Sequence, residues 1–301
     1  MSVLRSGAPV VIRLRRGGGS RWGVLGWISF LVIGLALVAA VAGPALTSQD
    51  PNDSDLARAF TAPAPGHPLG FDSQGRDLLA RLLVGARSSL LGPLGVVALS
   101  MAVAIVVAIS CAWFGGWFDS IVSAALEVMF SFPGILLAVL AAAVFGAGLG
   151  TAVLALSVAY VPYASRLLRS AALSERRKPY IQALEIQGAP ATTICLRHLV
   201  PNLLPLIAAQ STLFFGYAMV DLAILSYFGL GVQFPDADWG VMVGTGQTGV
   251  LQGYPAESLT AGCLIVALVV SFNVLGERMS QRGPQRRTRR LPGLLLPRRD
   301  V

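Results

Sequence analysis

The chain has 301 residues, of which 54% are hydrophobic and only 13% are charged, and its formal net charge is +8. Soluble domains usually carry about 25% charged residues, so this composition excludes an ordinary soluble protein and indicates a protein that crosses a membrane several times. The three cysteines, Cys111, Cys195 and Cys263, are far apart in the sequence and indicate neither a disulfide framework nor a metal site.

The amino-terminal segment, residues 1–21, contains five arginines and no acidic residue. We interpret it as a basic cytoplasmic arm, because positive residues stay on the inner side of a membrane, and not as a nucleic-acid site. The apolar run that follows is interpreted as a retained first span. The alternative is a cleaved signal peptide, which would leave five spans and move one terminus across the membrane.

Six apolar runs reach the length of about 20 residues that a helix needs to cross a bilayer. They predict an all-α, polytopic membrane helical bundle of six transmembrane helices within residues 22–279, preceded by the arm and followed by a basic tail, 280–301, that is predicted to be poorly ordered. The runs are roughly 24–46, 88–112, 120–146, 148–170, 203–228 and 259–278.

The distribution of positive charge predicts the orientation of the bundle. With the amino terminus inside, the inner segments carry 19 of the 23 Lys and Arg residues and the outer segments carry the other 4. The positive-inside rule therefore predicts that both termini and residues 174–202 are cytoplasmic.

The first outer segment, residues 47–87, contains four prolines that predict a stiff loop. Asp72, Arg76 and Asp77 are expected to pair locally and fix this loop at the outer face, with contact to a substrate as the alternative. A stripe of leucines from Leu78 to Leu83 predicts a short interfacial helix that leads into the second span.

The third span contains Glu127, followed by Pro133 and Gly134, which are expected to bend or break the helix. A carboxylate inside a membrane is costly and usually faces protein or water. Glu127 therefore has two interpretations, a functional carboxylate or one that packs helices together. The fifth span contains a second carboxylate, Asp221.

Residues 174–202 form a polar, basic island between two apolar runs. Pro179 is suited to the first turn of a helix, and Gly188 is suited to the position just after a helix end. Pro190 is expected to begin a second helical segment, which Pro201 and Pro205 are expected to end. The pattern predicts a cytoplasmic loop of two short helices with a sharp corner between them.

The second outer segment, residues 229–258, contains Asp236, Asp238 and Glu257 and no Lys or Arg. It predicts an acidic outer surface that could dock a partner or attract a cationic solute. A plain solvated loop is the alternative for each carboxylate.

Several of these stretches resemble the permeases of ABC importers. The island resembles their cytoplasmic "EAA" loop, although Gln182 replaces the usual Glu and Leu184 the second Ala. The outer segments and the end of the fifth span resemble dipeptide- and oligopeptide-type permeases. The matching stretches are Gln182-Ala183-Leu184 with Gly188, Leu199-Val200-Pro201-Asn202, Leu69-Gly70-Phe71-Asp72, Gly75-Arg76-Asp77, Gly85-Ala86-Arg87, Leu225–Gly231 and Trp239-Gly240.

The resemblance covers roughly residues 66–279 and implies the second permease subunit of a dipeptide, oligopeptide or nickel importer in the plasma (inner) membrane of a prokaryote. It implies transport by alternating access and four kinds of partner: the lipid bilayer, a second homologous permease subunit, two ABC ATPase subunits and an extracytoplasmic substrate-binding protein. It also implies that the ATPases contact the loop, at Tyr180, Gln182, Ala183, Leu184, Glu185, Gly188, Ala189, Ile194 and Arg197.

Two further sets of residues follow from the same resemblance. Asp221 and Glu127 are hypothesised to line the translocation pathway, with Asp221 attracting a positively charged amino group. The family's acid normally stands at position 222, so its shift to 221 rotates the carboxylate by about 100° on the helix. Asp236, Asp238 and Trp239 are predicted to contact the binding protein at the outer face.

Energy and catalysis are expected to come from other chains. The only lysine is Lys178, and it is followed by Pro179, which rules out a phosphate-binding G-x-x-x-x-G-K-[ST] loop. We therefore expect no catalysis, metal or cofactor on this chain, with ATP and Mg²⁺ on the partner ATPases. A permease for nickel or another small solute, an ATP-independent secondary transporter, and a membrane receptor or scaffold remain as alternatives.

Overall fold

A computed structural model describes residues 23–47 and 49–280. The predicted basic arm, 1–21, and the tail from residue 281 onward lie outside these ranges. The described chain contains helices and no β-strand. Its elements are α1 (Gly23–Leu46), a 3₁₀ turn (Leu56–Arg58), α2 (Leu78–Phe114), α3 (Gly116–Phe130), α4 (Gly134–Phe145), α5 (Leu149–Arg176), α6 (Pro179–Ile186), α7 (Ala191–Ile194), a π-helical turn (Cys195–Leu199), α8 (Val200–Tyr227), α9 (Trp239–Thr245), α10 (Gln247–Leu251) and α11 (Ala256–Ser280).

The helices confirm the predicted all-α membrane bundle. In the described part of the chain, five helical segments are each long and apolar enough to cross a membrane, namely α1, α2, α5, the run Ala191–Tyr227 and α11. Helices α3 and α4 pass the same test as a pair, bent by 78° at their junction, and count as a sixth span if they cross together. Pro133 immediately precedes α4, so the predicted break at Pro133-Gly134 is confirmed.

Helix α2 corrects the prediction of a separate interfacial helix. Its 37 residues form one helix, about 55 Å long at 1.5 Å per residue. The hydrocarbon core of a bilayer is only about 30 Å thick, so α2 extends beyond it. The Oδ1 atom of Asp77 accepts a hydrogen bond from the Ala80 amide at 2.7 Å and begins the helix, and no helix-ending residue follows before the apolar span.

The prolines at 201 and 205 do not end the second helical segment of the island, so that prediction is wrong. Residues Ala191–Tyr227 run on as one apolar segment, and α7 is its first turn. A π-helical turn precedes Pro201, in which the Val200 amide donates to the carbonyl of Cys195. The wider turn gives the proline ring room against the preceding carbonyls, which allows the helix to continue.

Small residues bring the spans of the bundle close together, as is usual between membrane helices. Helix α2 lies at the centre and contacts α1, α5 and α8, while α11 packs against α8. Gly43 of α1 is buried against α2, where a Cβ atom would lie 2.5 Å from the carbonyl oxygen of Leu83. The backbones of α1 and α2 therefore approach each other too closely for a side chain at this position.

We expect Gly43→Leu to destabilise the contact between α1 and α2 by about 1–3 kcal/mol, the usual cost of overpacking a tight site. Thermal unfolding of the detergent-purified protein measures the effect. Gly34→Leu in the same helix is the matched control, since a Cβ at Gly34 meets no atom within 4 Å. Equal melting temperatures for the two variants would contradict this packing.

Candidate functional site

The polar island folds into a corner at one end of the bundle, which we call the coupling corner (residues 179–199). Helix α6 leaves α5 after a two-residue turn, and Pro179 is its first residue. Ile181, Ile194 and Leu199 are fully buried, so apolar contacts hold the corner against the spans. The opposite face of α6 is exposed.

Gly188 makes the turn between α6 and α7. It has a φ of +77°, in the left-handed region that glycine adopts without strain. Its amide donates to the carbonyl of Glu185 at 3.0 Å, and the next amide, Ala189, donates to the carbonyl of Leu184 at 3.1 Å. This pair of bonds is the Schellman arrangement that closes a helix end, and it confirms the predicted end of α6 at Gly188.

Tyr180 connects the corner to two spans. Its hydroxyl donates to Glu175 Oε1 of α5 at 2.7 Å and accepts from Asn202 Nδ2 of α8 at 2.7 Å. Lys178 Nζ lies 2.5 Å from the other oxygen of Glu175. Burial, followed by the hydrogen bond to Glu175, raises the pKa of Tyr180 to about 12, so the hydroxyl keeps its proton throughout the neutral pH range.

Arg176 ties the corner to α2. Its guanidinium donates to the carbonyl oxygens of Ala112 and Trp113 and lies 4.7 Å from the centre of the Trp113 ring. Its Nε atom is 3.6 Å from Glu185 Oε1 of α6. Helix α6 thus contacts α5 and α8 directly and is linked to α2 through Arg176 of α5.

The residues predicted to contact an ATPase fall into buried, half-buried and exposed groups. Ile194 is only 1% exposed and belongs to the core of the corner, so its predicted surface contact is wrong. Leu184 and Ala189 are half-buried. The exposed members are Tyr180, Gln182, Ala183, Glu185, Gly188 and Arg197.

The sequence reasoning missed two exposed apolar side chains of the corner. Ile186 is 87% exposed and Leu196 is 70% exposed. Ile186 follows the buried Ile181 by five residues, which places the two about 140° apart around a helix. That spacing could have identified Ile186 as an apolar residue on the outward face.

A second candidate site is an open groove beside the break between α3 and α4, with a volume of about 540 Å³. Tyr160 of α5 donates from its hydroxyl to Asp221 Oδ2 of α8 at 2.9 Å. The groove is therefore aromatic with one carboxylate. Its polar and aromatic lining consists of Phe130, Phe132, Tyr160, Tyr163, Phe214, Tyr217 and Asp221.

The position of Asp221 follows from the one-residue shift noted in the sequence. Leu222 is 5% exposed and packs into the core beside Gly92, whereas Asp221 lines the groove. A carboxylate at 222 would face that core. Glu127 is exposed on α3 but is not among the residues that line the groove, so the structure does not bring the two carboxylates together.

The opposite end of the bundle corrects the predicted binding-protein contact. Asp238 and Trp239 are 4% and 2% exposed. Asp238 accepts from Ser89 Oγ at 2.6 Å and from the first amides of α9, and Trp239 Nε1 donates to the Leu82 carbonyl at 2.9 Å. Both side chains attach α9 to α2, so their predicted outer contact is wrong. Asp236 is exposed.

Four charged side chains at this end form an ionic cluster that is no more than 3% exposed, namely Asp72, Arg76, Arg81 and Glu257. Arg76 Nε lies 2.6 Å from Asp72 Oδ2, which confirms their predicted local pairing, and Arg81 Nε lies 3.7 Å from the same oxygen. Because Glu257 and Asp238 are buried, the predicted acidic outer surface is wrong at those two positions. Asp77 caps α2 and contacts His67.

Residues 103–283 match the family described as binding-protein-dependent transport system inner membrane component. The chain is 32% identical over 250 residues to the dipeptide transport system permease protein DppC of Alkalihalophilus pseudofirmus, covering 83% of this chain and 82% of that protein. It is 32% identical over 226 residues to the glutathione transport system permease protein GsiD of Pectobacterium atrosepticum, covering 75% of each.

The fold is similar to a chain of the MetNI methionine ABC transporter, solved in inward-facing conformations. The TM-score is 0.55 at 21% sequence identity, and the match covers 68% of this chain and 97% of that chain. This likeness supports the fold, while the family match and the relatives support the assignment. The chain is a multi-pass membrane protein that belongs to the binding-protein-dependent transport system inner membrane component family.

Proposed function

We propose that this chain is one of two permease subunits of an ATP-driven, binding-protein-dependent importer of di- or oligopeptides. The observation that carries the proposal is the coupling corner, because α6 is exposed on one face and on the other contacts α5 and α8 and is linked to α2 through Arg176. The names of the DppC and GsiD relatives favour peptides as the solute.

The coupling corner would receive the motion of two partner ATPases, which hold the ATP and Mg²⁺. Ile186 and Leu196 offer exposed apolar surface, and exposed apolar surface favours contact with another protein. The bonds of Tyr180 and Arg176 would carry a displacement of α6 to α2, α5 and α8, and so change which side of the membrane the bundle opens to. The 19-to-4 distribution of positive residues supports a cytoplasmic location for the corner.

The groove beside the α3–α4 break would form part of the translocation pathway. It is open at the surface of this subunit, so a second homologous permease subunit could close it. Asp221 would attract the protonated amino group of a peptide, and the surrounding aromatic rings would contact its side chains. An extracytoplasmic binding protein would deliver the solute at the opposite end from the corner.

Reconstitution tests the proposed function. The chain, a partner permease and two ATPases are placed in proteoliposomes with the binding protein, and uptake of a radiolabelled dipeptide is measured with and without ATP. We expect uptake only with ATP and the binding protein. Uptake driven by an ion gradient without ATPases would indicate a secondary transporter. Binding of the solute without uptake would indicate a receptor. Uptake of a nickel chelate but not of peptide would indicate a permease for nickel.

Asp221→Asn is expected to lower dipeptide uptake about tenfold, since a charged hydrogen-bond partner contributes about 1.5–3 kcal/mol. Initial uptake rates in the proteoliposomes measure the loss. Glu127→Gln is the comparison, and we expect a smaller effect because Glu127 lies outside the groove lining. Normal uptake by a correctly inserted Asp221→Asn protein would show that this carboxylate does not act on the solute.

A further inference from the structure

A second open cavity lies at the end of the bundle opposite the coupling corner, and we call it the terminal cleft. Its volume is about 470 Å³, within the range of about 300–1,000 Å³ that is usual for small-molecule sites. Four segments form its walls: the loop at Pro51–Asn52, one face of α2, the beginning of α5, and the 232–237 loop. None of the residues already assigned to the groove lines this cleft.

Two charged side chains of opposite sign line the terminal cleft, and neither forms a direct contact with another charged group of the described residues. Arg87 stands on α2 and Asp236 on the 232–237 loop, and both are exposed. Within residues 23–47 and 49–280, neither side chain forms a hydrogen bond or an ion pair, and no nitrogen of Arg87 lies within 4.0 Å of a carboxylate oxygen of Asp236. The cleft thus offers one cation and one anion that form no ion pair within the described residues, and the charge of the buried Arg81 acts on Asp236 from behind the cleft wall.

The walls of the cleft are fixed by internal hydrogen bonds. The buried Arg81 donates from Nη1 to the carbonyls of Pro51 and Pro235, at 3.0 and 3.2 Å, and so joins the Pro51–Asn52 loop to the 232–237 loop. Ser88, next to Arg87, donates to the carbonyl of Ala237, next to Asp236, at 2.9 Å. These bonds fix the backbone segments that carry Arg87 and Asp236 relative to each other.

We propose that the terminal cleft binds a short zwitterionic peptide by both of its termini, with Arg87 receiving the carboxylate and Asp236 the ammonium group. At neutral pH a free peptide carries both charges, because its carboxyl pKa is about 3.5 and its amino pKa about 7.8. A guanidinium binds a carboxylate through two parallel hydrogen bonds. This inference rests on the proposed function and adds a first site for the solute, ahead of the groove.

Photolabelling tests the cleft without requiring transport. The full chain and its partner permease are placed in nanodiscs, without ATP or binding protein, and exposed to a radiolabelled dipeptide that carries a diazirine. We expect crosslinks in residues 84–91 and 232–237, mapped by mass spectrometry. Unlabelled dipeptide should compete about tenfold better than its N-acetylated or C-amidated forms, since each lacks one charged contact.

Variants assign each charge to one terminus. Arg87→Gln should lower labelling about tenfold and abolish the distinction between free and amidated carboxyl ends, and Asp236→Asn should do the same for free and acetylated amino ends. Arg58→Gln and Asp53→Asn are the controls, as both side chains are exposed in the first outer segment but do not line the cleft. Unchanged labelling in both cleft variants, equal competition by the blocked peptides, or crosslinks elsewhere would overturn the proposal.

Two further outcomes distinguish a peptide-binding cleft from a protein-docking surface, and the failure of this proposal from the failure of the proposed function. If Arg87→Gln weakens co-sedimentation of the binding protein and leaves labelling unchanged, the cleft is a protein-docking surface and the proposal is overturned. If wild-type proteoliposomes show no ATP-dependent dipeptide uptake, the proposed function fails, while the labelling experiment still reports directly on whether the cleft binds a zwitterion.

Discussion

Replacing Gly188 by arginine is expected to abolish solute uptake while ATP hydrolysis continues. Gly188 has a φ of +77°, and holding a non-glycine residue there costs about 1–2 kcal/mol. The strain would open the hydrogen bonds that close α6 at Leu184 and Glu185. The arginine side chain would also project from the exposed corner into the surface that the ATPases are proposed to contact. The spans themselves do not depend on this turn, so the variant should insert normally.

The matched control is Gly188→Asn, because asparagine tolerates the left-handed conformation better than other side chains. A Cβ at this position meets no atom within 4 Å, so neither variant clashes with the rest of this chain. The two variants differ in how well each residue tolerates a positive φ. Uptake and ATP hydrolysis are measured in the same proteoliposomes. Normal uptake by the arginine variant would contradict the proposed role of this corner in transport.

Replacing Arg81 by methionine is expected to destabilise the protein by about 3–5 kcal/mol, the usual cost of removing one partner of a buried ion pair. Arg81 is fully buried, and its Nη1 atom contacts Pro51, Asn52 and Pro235. Its loss would leave Asp72 with less compensating charge and would release the loop at Pro51 from α2. Thermal unfolding of the purified protein, followed by tryptophan fluorescence, measures the change.

Arg58→Met serves as the control for the loss of one positive charge at the same end. Arg58 pairs with Asp55, but the side chains of both are more than half exposed, and such surface pairs contribute about 1 kcal/mol or less. A melting temperature for Arg81→Met equal to that of Arg58→Met would show that the buried cluster does not hold this end together.

Hydrophobic run length and helix-ending residues predicted most of the fold. Six runs correspond to α1, α2, the α3–α4 pair, α5, α8 and α11, because a membrane-spanning helix must satisfy its backbone internally over about 20 apolar residues. Gly188 and Pro133 were also identified correctly. Glycine and proline each act through the backbone geometry of their own residue type, which can be inferred directly from the sequence.

The errors occurred where another backbone geometry or a tertiary contact overrode the preference of a single residue. Pro201 favours a helix end locally, yet a π-helical turn lets the helix continue into α8. Asp238 and Trp239 look like exposed loop residues, yet α9 folds back against α2 and buries both. Ile194 belongs to the same class, since its burial depends on how the corner packs.

The amino-acid sequence by itself determined that the chain is a helical membrane protein, where its spans lie, and where the corner turns. The tertiary structure decided which charges are buried in the cluster around Arg81, which carboxylate lines the groove, and which charges of the terminal cleft stay unpaired. The physical reason is distance along the chain: spans and turns depend on neighbouring residues, whereas the burial of a charge depends on segments that meet only in the folded bundle.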